Sequence, residues 1–136
     1  MYLLDTNVVS ELRRPQRTDP RVLAWAGAQA AASCFLSVIS VFELELGALR
    51  VARRDAGQGA LLRQWINDQV LTRFDGRILA IDVKVALRCA SLHVPDPRAE
   101  RDALIAATAL VHGMTVVTRN LADFAPTGVP TLNPWD

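Results

Sequence analysis

Cysteine and histidine are scarce in this sequence, which has two of each. Cys34 and Cys89 lie far apart and outside any CxxC motif, so we expect two small buried thiols in a reducing cytosol. His112 falls at the end of a predicted helix, where the helix dipole accounts for it. There is no P-loop and no HExxH motif, and the Gly-Gln-Gly at residues 57–59 lacks the third glycine of a dinucleotide fingerprint. These absences leave no catalytic apparatus built on cysteine, histidine or a phosphate-binding loop.

Lysine is nearly absent, since Lys84 is the only lysine among the 15 lysines and arginines. Arginine suits phosphate and carboxylate pairing better than lysine does, although a compositional bias of the source explains the excess equally well. The formal net charge of +1 favours neither an acidic nor a basic partner overall. With 51% hydrophobic and 21% charged residues in 136, the composition is that of a globular protein. We predict one domain over residues 1–136.

Signals for export or membrane insertion are also lacking. Asp5 interrupts the start of the chain before the apolar part of a signal peptide could form. Residues 22–42 carry no charge and are long enough to cross a bilayer, but Gly27, Gln29, Ser33 and other small or polar residues are scattered through them. A helix followed by a strand explains this segment better. We therefore expect a soluble, cytoplasmic protein with no membrane partner.

Short apolar runs alternate with helical patterns along the chain. Strands are predicted at residues 2–4, 34–38, 78–81, 114–117 and 129–132. Several helix starts are predicted from capping signals: Thr6 or Asn7, Asp19-Pro20, the capping box of Ser40 and Glu43, and Asp96-Pro97. This alternation predicts an α/β fold, with a mostly parallel central sheet of four to five strands flanked by helices on both faces.

Four acidic residues fall at one predicted edge of this sheet. Asp5 follows the first strand, Glu43 lies in the first turn after the second, and Asp123 comes a few residues after the fourth. Asp102 lies early in the helix that feeds the fourth strand, among small alanines that let this helix pack closely. Because the carboxyl ends of parallel strands share one edge, where ligands of such sheets bind, we expect the four carboxylates to converge.

Converging carboxylates repel one another and raise one another's pKa unless a cation is present. Oxygen ligands select hard ions such as Mg²⁺ or Mn²⁺, which can activate a water and neutralise phosphoryl charge in phosphodiester hydrolysis. Each acid alone also fits a structural role: Asp5 as a cap, Glu43 as half of a capping box, Asp102 and Asp123 as solvated surface acids. It is the joint placement that indicates a metal site.

Four sequence blocks, in order along the chain, resemble those of PIN domains. They are residues 3–11 (LLDTNVVSE), 37–47 (SVISVFELELG), 102–109 (DALIAATA) and 117–124 (VTRNLADF). The resemblance is closest to the VapC toxins and their FitB-like subgroup, and it includes the Leu-Asn-Pro-Trp at residues 132–135. Four ordered blocks are a strong signal where one would be weak.

The resemblance implies a Mg²⁺- or Mn²⁺-dependent endoribonuclease, the toxin of a type II toxin–antitoxin pair. It further implies an RNA substrate, a cognate antitoxin that inhibits the enzyme, a homodimer, and contact with DNA only through the antitoxin. The family pattern makes Asp5, Asp102 and Asp123 the metal ligands, with Glu43 acting directly or through water. Three further residues fall at positions that often support the acids or the substrate phosphate: Thr6, Thr118 and Asn120.

Two predicted helices, over residues 41–54 and 60–71, carry more apolar residues than one sheet face should cover. They include Leu46, Leu49, Trp65 and Ile66. Either all of these join the core, or part of the surface forms a groove for an antitoxin helix and part a homodimer contact, as the resemblance implies.

Two alternatives from other functional classes stay open. An aspartyl phosphatase or phosphotransfer domain needs a second acid two residues after the first, where this chain has Asn7, or a lysine after a late strand, whereas Lys84 follows an earlier acid. A non-catalytic module that sequesters a partner or co-represses with it does not need its acids. Intact acids argue against such a module, although they are compatible with weak or absent turnover.

Overall fold

Five short apolar strands build the central sheet of the computed structural model, which describes residues 1–136. The strands are β1 (Tyr2–Leu4), β2 (Cys34–Ser37), β3 (Ile78–Leu79), β4 (Thr115–Val117) and β5 (Thr131–Leu132). They lie in the order β3-β2-β1-β4-β5, and every neighbouring pair is parallel. The predicted parallel α/β architecture is confirmed.

Helices connect these strands and cover the sheet. They are α1 (Thr6–Glu11), α2 (Pro20–Ala28), α3 (Val38–Arg54), α4 (Ala56–Trp65), α5 (Leu71–Arg73), α6 (Val83–Leu92), α7 (Glu100–His112) and α8 (Leu121–Phe124). A π-helical turn, Ile66–Val70, joins α4 to α5. None of the helices combines the length and the apolar character that are needed to cross a bilayer.

Neighbouring residues of β1 pack into different cores because successive side chains of a strand point to opposite faces. Leu4 belongs to a cluster with Val8 of α1 and Leu44 of α3 on one face of the sheet. Leu3 packs on the other face, in a cluster with Ile105 and other residues of α7. Both leucines are buried, which explains why β1 is a continuous apolar run rather than an alternating one.

The chain order of the strands opens a crevice beside β1. From β1 the chain proceeds through β2 to β3 on one side, and then returns to place β4 and β5 on the other side. Ligands of open parallel sheets bind at such a reversal, at the carboxyl ends of the strands. The Asp5 N–H, just after β1, donates to the carbonyl of Val117 at 2.9 Å. Residues that follow β1 and β4 are therefore held side by side.

The start of α7 differs from the sequence prediction. The helix begins at Glu100, after Ala99, rather than at Asp96. The ring of His93 explains the difference, because its Nδ1 accepts the N–H of Arg98 at 3.0 Å and holds the preceding residues in a loop. Asp102 thereby lies in the first turn of α7.

Close packing of α3 against α4 depends on Gly59. A Cβ added to Gly59 would lie 2.4 Å from the Cβ of Ala52 and 2.6 Å from its Cα. Gly59→Ala should therefore push the helices apart and lower the free energy of unfolding by roughly 1–3 kcal/mol, the usual cost of overpacking. Urea unfolding followed by circular dichroism measures the loss.

Gly47→Ala is the matched control, because Gly47 is an exposed residue of α3 and an added Cβ meets nothing within 4 Å. We expect this variant to gain about 0.5–1 kcal/mol from helix propensity. Equal unfolding midpoints for the two variants would contradict the role of Gly59.

Candidate active site

Asp5 is a buried carboxylate at the junction of β1 and α1, with 6% of its surface exposed. It is the N-cap of α1, in place of the predicted Thr6 or Asn7, and its Oδ1 accepts the Thr6 N–H at 2.8 Å. Its Oδ2 accepts hydrogen bonds from the Thr118 hydroxyl at 2.8 Å and from Asn7 Nδ2 at 3.2 Å. Burial raises the pKa of Asp5, and the bonds from Thr118 and Thr6 act in the opposite direction.

Asn7 and Thr118 link the ends of β1 and β4. Asn7 Nδ2 also lies 3.3 Å from the Thr118 hydroxyl, and its Oδ1 accepts the Arg119 N–H at 3.3 Å. The Thr118 hydroxyl accepts the Asn120 N–H at 3.0 Å. Thr118 is completely buried, so its hydroxyl is available only to these partners and to Asp5. The structure thus places Thr118 against Asp5, and Asn120 against Thr118.

Glu43 reaches the same region from α3. This helix begins at Val38 with Ser37 as its N-cap, so the predicted capping box of Ser40 and Glu43 is wrong. Instead, Glu43 Oε1 accepts a hydrogen bond from the Thr6 hydroxyl at 2.7 Å, and the Ser40 hydroxyl lies 3.0 Å from the same Thr6 oxygen. Thr6 therefore connects Glu43 to the chain segment that carries Asp5.

Asp102 lies within range of the charges of the other three acids. Its pKa is raised to about 6, first by burial and then by the negative charges of Asp5, Asp123 and Glu43, while Arg101 opposes the shift. Asp123 is exposed on α8, and its charge also raises the pKa of Asp5. Asp5, Glu43 and Asp123 are thus close enough to Asp102 for their charges to raise its pKa.

Three of these acids, Asp5, Glu43 and Asp102, line one open cavity of about 530 Å³. Asp123 is near this cavity but is not part of its lining. No hydrophobic residue lines it, and its remaining lining residues are Thr6, Asn7, Ser10, Glu11 and Asn120. The sequence prediction missed Asn7, Ser10 and Glu11. Ser10 and Glu11 lie three and four residues after Asn7 on α1, so the three side chains share one face of the helix. This spacing directly after Asp5 was the sequence signal that could have identified them.

The lining suits a hard divalent cation, although the side chains do not form a closed cage. No group of three or more histidine, cysteine, aspartate or glutamate side chains is arranged to hold a metal ion as they stand. However, Mg²⁺ usually keeps several waters and is bound by one or two carboxylates rather than by a complete protein shell. Asp5 and Asp102 supply two such carboxylates, and no histidine or cysteine competes for the cavity.

Comparison with known proteins identifies relatives along the full chain. The family model of the PIN domain matches residues 2–126. The chain is 35% identical over 142 residues to the VapC ribonuclease Y4jK of Sinorhizobium fredii, and the match covers 100% of this chain and 99% of that protein.

Solved structures also match this fold along nearly the whole chain. The crystal structure of FitAcB from Neisseria gonorrhoeae matches with a TM-score of 0.89 and 37% identity, covering 99% of both chains. A toxin–antitoxin complex from Klebsiella pneumoniae matches with a TM-score of 0.71 and 26% identity, covering 100% of this chain and 99% of that one.

The raised pKa of Asp102 predicts that the cation-free protein loses stability as the pH rises. The carboxyl group titrates near 3.8 in the unfolded chain and at about 6 in the folded one, so the folded state binds this proton more tightly. Its contribution to stability is present near pH 4 and is lost as the pH rises through about 6. In EDTA, Asp102→Asn should therefore have a higher Tm than the wild type at pH 8, and the difference should shrink towards pH 4.

Glu100→Gln provides the control, because Glu100 is an exposed acid in the same first turn of α7. We expect no pH-dependent gain in Tm from this variant. Parallel wild-type and Asp102→Asn curves between pH 4 and pH 8 would contradict the assignment of the shift to Asp102.

Proposed function

The chain belongs to the PIN-domain family, and on this basis we propose that it is a Mg²⁺- or Mn²⁺-dependent endoribonuclease, the toxin of a type II toxin–antitoxin pair in the cytoplasm. The observation that carries this proposal is the shared placement of Asp5, Glu43 and Asp102 in one open, wholly polar cavity. Similarity to a protein named VapC ribonuclease supports RNA as the substrate.

Asp5 and Asp102 are the residues that would hold the cation, with Asp123 and Glu43 contributing directly or through water. When bound, the ion supplies an activated water and neutralises charge that builds on the phosphoryl oxygens. Asp5 is well suited to this role because the Thr118 hydroxyl and the Thr6 N–H fix its carboxylate before any ion arrives. Such preorganisation lowers the cost of assembling the site.

The chain's own polar groups orient the substrate and accept the proton of the attacking water, while solvent water protonates the departing 3′-oxygen. Thr6 holds Glu43 through Oε1. Oε2 has only a long contact of 3.4 Å with Arg101 Nη1, so it can orient the attacking water and take its proton. Asn120 lines the same cavity and can donate its side-chain amide to a substrate phosphate. No histidine lines the cavity, so a histidine pair that activates the ribose 2′-OH is not available.

Asp5→Asn and Asp102→Asn should each lower RNA cleavage on the order of a hundredfold or more, because each removes a metal-ligand charge without a change in side-chain volume. Cleavage of a single-stranded RNA by the purified chain, with Mn²⁺ or with EDTA, measures the effect. We expect EDTA to stop the reaction, and the products to carry 5′-phosphate and 3′-hydroxyl ends.

Glu45→Gln is the control for this experiment. Glu45 lies two residues after Glu43 but pairs with Arg63 of α4 at 2.7 Å, away from the cavity. Full activity in both aspartate variants at limiting Mg²⁺ would refute the site, and 2′,3′-cyclic phosphate ends would refute the mechanism. A chain that binds its partner but cleaves no RNA would favour the sequestering module.

An apolar groove next to the acidic cavity provides a site for the proposed antitoxin. The groove has a volume of about 250 Å³, lies between α1, α3 and α4, and shares Thr6, Ser10 and Glu43 with the cavity. The buried core residue Ile66 and the partly buried Trp65 form part of its lining. Leu49, in contrast, is 47% exposed, so these helices do not place all of their apolar residues in the core. We propose that an amphipathic antitoxin helix binds here, and that homodimer contacts use the remaining apolar surface.

Such a helix could insert a basic side chain among the acids and compete with the cation. The gene beside this one should then encode a short chain with a DNA-binding start and an amphipathic tail, so that contact with DNA is indirect. We expect the two chains to co-elute on gel filtration, with inhibition that weakens as Mg²⁺ increases. Val51→Glu, within the groove, should weaken the complex at least tenfold, because it buries an unpaired charge.

Leu87→Glu is the control, because Leu87 is an exposed residue of α6 and does not line the groove. Separate elution of the two wild-type chains, with unchanged cleavage, would refute the antitoxin proposal and leave the nuclease assignment in place.

A further inference from the structure

Phe42 and Arg101 form a pair at the rim of the acidic cavity. Phe42 directly precedes Glu43 on α3, and Arg101 directly precedes Asp102 on α7. The guanidinium carbon of Arg101 lies 5.6 Å from the centroid of the Phe42 ring. Each member of the pair is therefore one residue away from an acid of the proposed catalytic site.

The Phe42 ring is not needed by the core. It is 53% exposed and belongs to none of the three hydrophobic clusters. It also does not line the apolar groove that we assign to the antitoxin. An aromatic ring that is half exposed beside a phosphodiester-cleaving site offers a face on which an unpaired base can stack.

Arg101 is the only cation within 4 Å of a carboxylate of the acidic cavity, and its contact is weak. Its Nη1 lies 3.4 Å from Glu43 Oε2, and its side chain is 47% exposed, so the ion pair contributes little. Glu43 does not depend on this contact, because Thr6 holds its other oxygen at 2.7 Å. Arg101 can therefore leave Glu43 and bind a phosphate oxygen instead, while Thr6 keeps Glu43 in the site.

We propose that Phe42 and Arg101 form a stacking platform for an unpaired RNA base next to the scissile phosphate, with the base on the Phe42 ring and a neighbouring phosphate on Arg101. This inference rests on the proposed nuclease function. A base can reach the ring only when it has left a duplex, so the platform restricts the substrate to single-stranded RNA or to loops.

Binding and cleavage by the full chain test the platform separately. Binding of a fluorescent, mixed-sequence single-stranded RNA is measured by anisotropy in the Asp5→Asn background, with the same RNA annealed to its complement for comparison. Phe42→Ala should raise the Kd for the single strand about tenfold, the size expected for one stacked base. Phe42→Trp should retain the affinity, and Phe42→Leu should not, because leucine keeps the apolar bulk without the π face.

Arg101 is tested through the salt dependence of binding. Arg101→Gln should reduce the slope of log Kd against log salt concentration by roughly 0.7, the value for one lost phosphate contact on a single strand. In the otherwise unaltered enzyme, Phe42→Ala should raise KM by about the same factor as Kd, while kcat changes by less than about threefold. Leu87→Ala, on the exposed face of α6, controls for loss of apolar surface.

Unchanged single-strand affinity and KM in Phe42→Ala, with cleavage still dependent on Asp5, would overturn the platform and leave the nuclease function standing. A shift of Phe42→Ala on gel filtration would mean that Phe42 is a protein contact. An equal loss of affinity in Leu87→Ala would mean that any loss of apolar surface weakens RNA binding. Either result would also overturn the platform. Absence of RNA cleavage in the wild type would overturn the proposed function and the platform together.

Discussion

The burial of one carboxylate, that of Asp5, imposes the constraint on which the rest of the site depends. A buried charge is costly unless hydrogen bonds or an ion compensate it. Here the Thr6 N–H, the Thr118 hydroxyl and the Asn7 side chain do so, and they bring together the first turn of α1 and the end of β4. The same bonds fix the orientation of the carboxylate. The hydrogen bonds that stabilise the buried Asp5 are thus the same ones that would orient it toward the proposed cation.

The fold places two further acids, Asp102 and Glu43, near Asp5, and this lowers the stability of the folded protein. Small residues of α7, Ala106 and Ala109, pack in one cluster with Leu3 of β1. Asp102, in the first turn of α7, lines the same cavity as Asp5. Thr6 ties Glu43 to the same corner. The pKa of Asp102 is raised first by burial and then by the charges of Asp5, Asp123 and Glu43, so in the absence of a cation these acids repel one another. Functional sites commonly lower the stability of the folded protein in this way, because the arrangement that activity needs is not the most stable one.

The grouping of the acids was predictable because parallel strands share one edge at their carboxyl ends, and the alternation of apolar runs with helical patterns predicts parallel strands. The resemblance to PIN domains, also read from the sequence, is confirmed.

The finer contacts were not predictable. Ser40 and Glu43 match a capping box, yet both meet Thr6, because Ser37 starts α3 three residues earlier. Likewise, Asn7 matches the sequence signal of a helix N-cap, but its side chain links the ends of two strands through Thr118, which lies 111 positions away. The roles of these residues depend on contacts with residues that are distant in sequence, and the local sequence does not reveal such contacts.

The central claim, that Asp5 and Asp102 together hold a divalent cation, is tested most directly by binding rather than by activity. Titration of the protein with Mn²⁺, with the free ion followed by electron paramagnetic resonance, gives the affinity for the wild type, Asp5→Asn, Asp102→Asn and Glu45→Gln. We predict that each aspartate variant binds Mn²⁺ at least tenfold more weakly, since loss of an outer partner alone commonly costs that much, and that Glu45→Gln matches the wild type. Equal Mn²⁺ affinity in all four proteins would contradict the account.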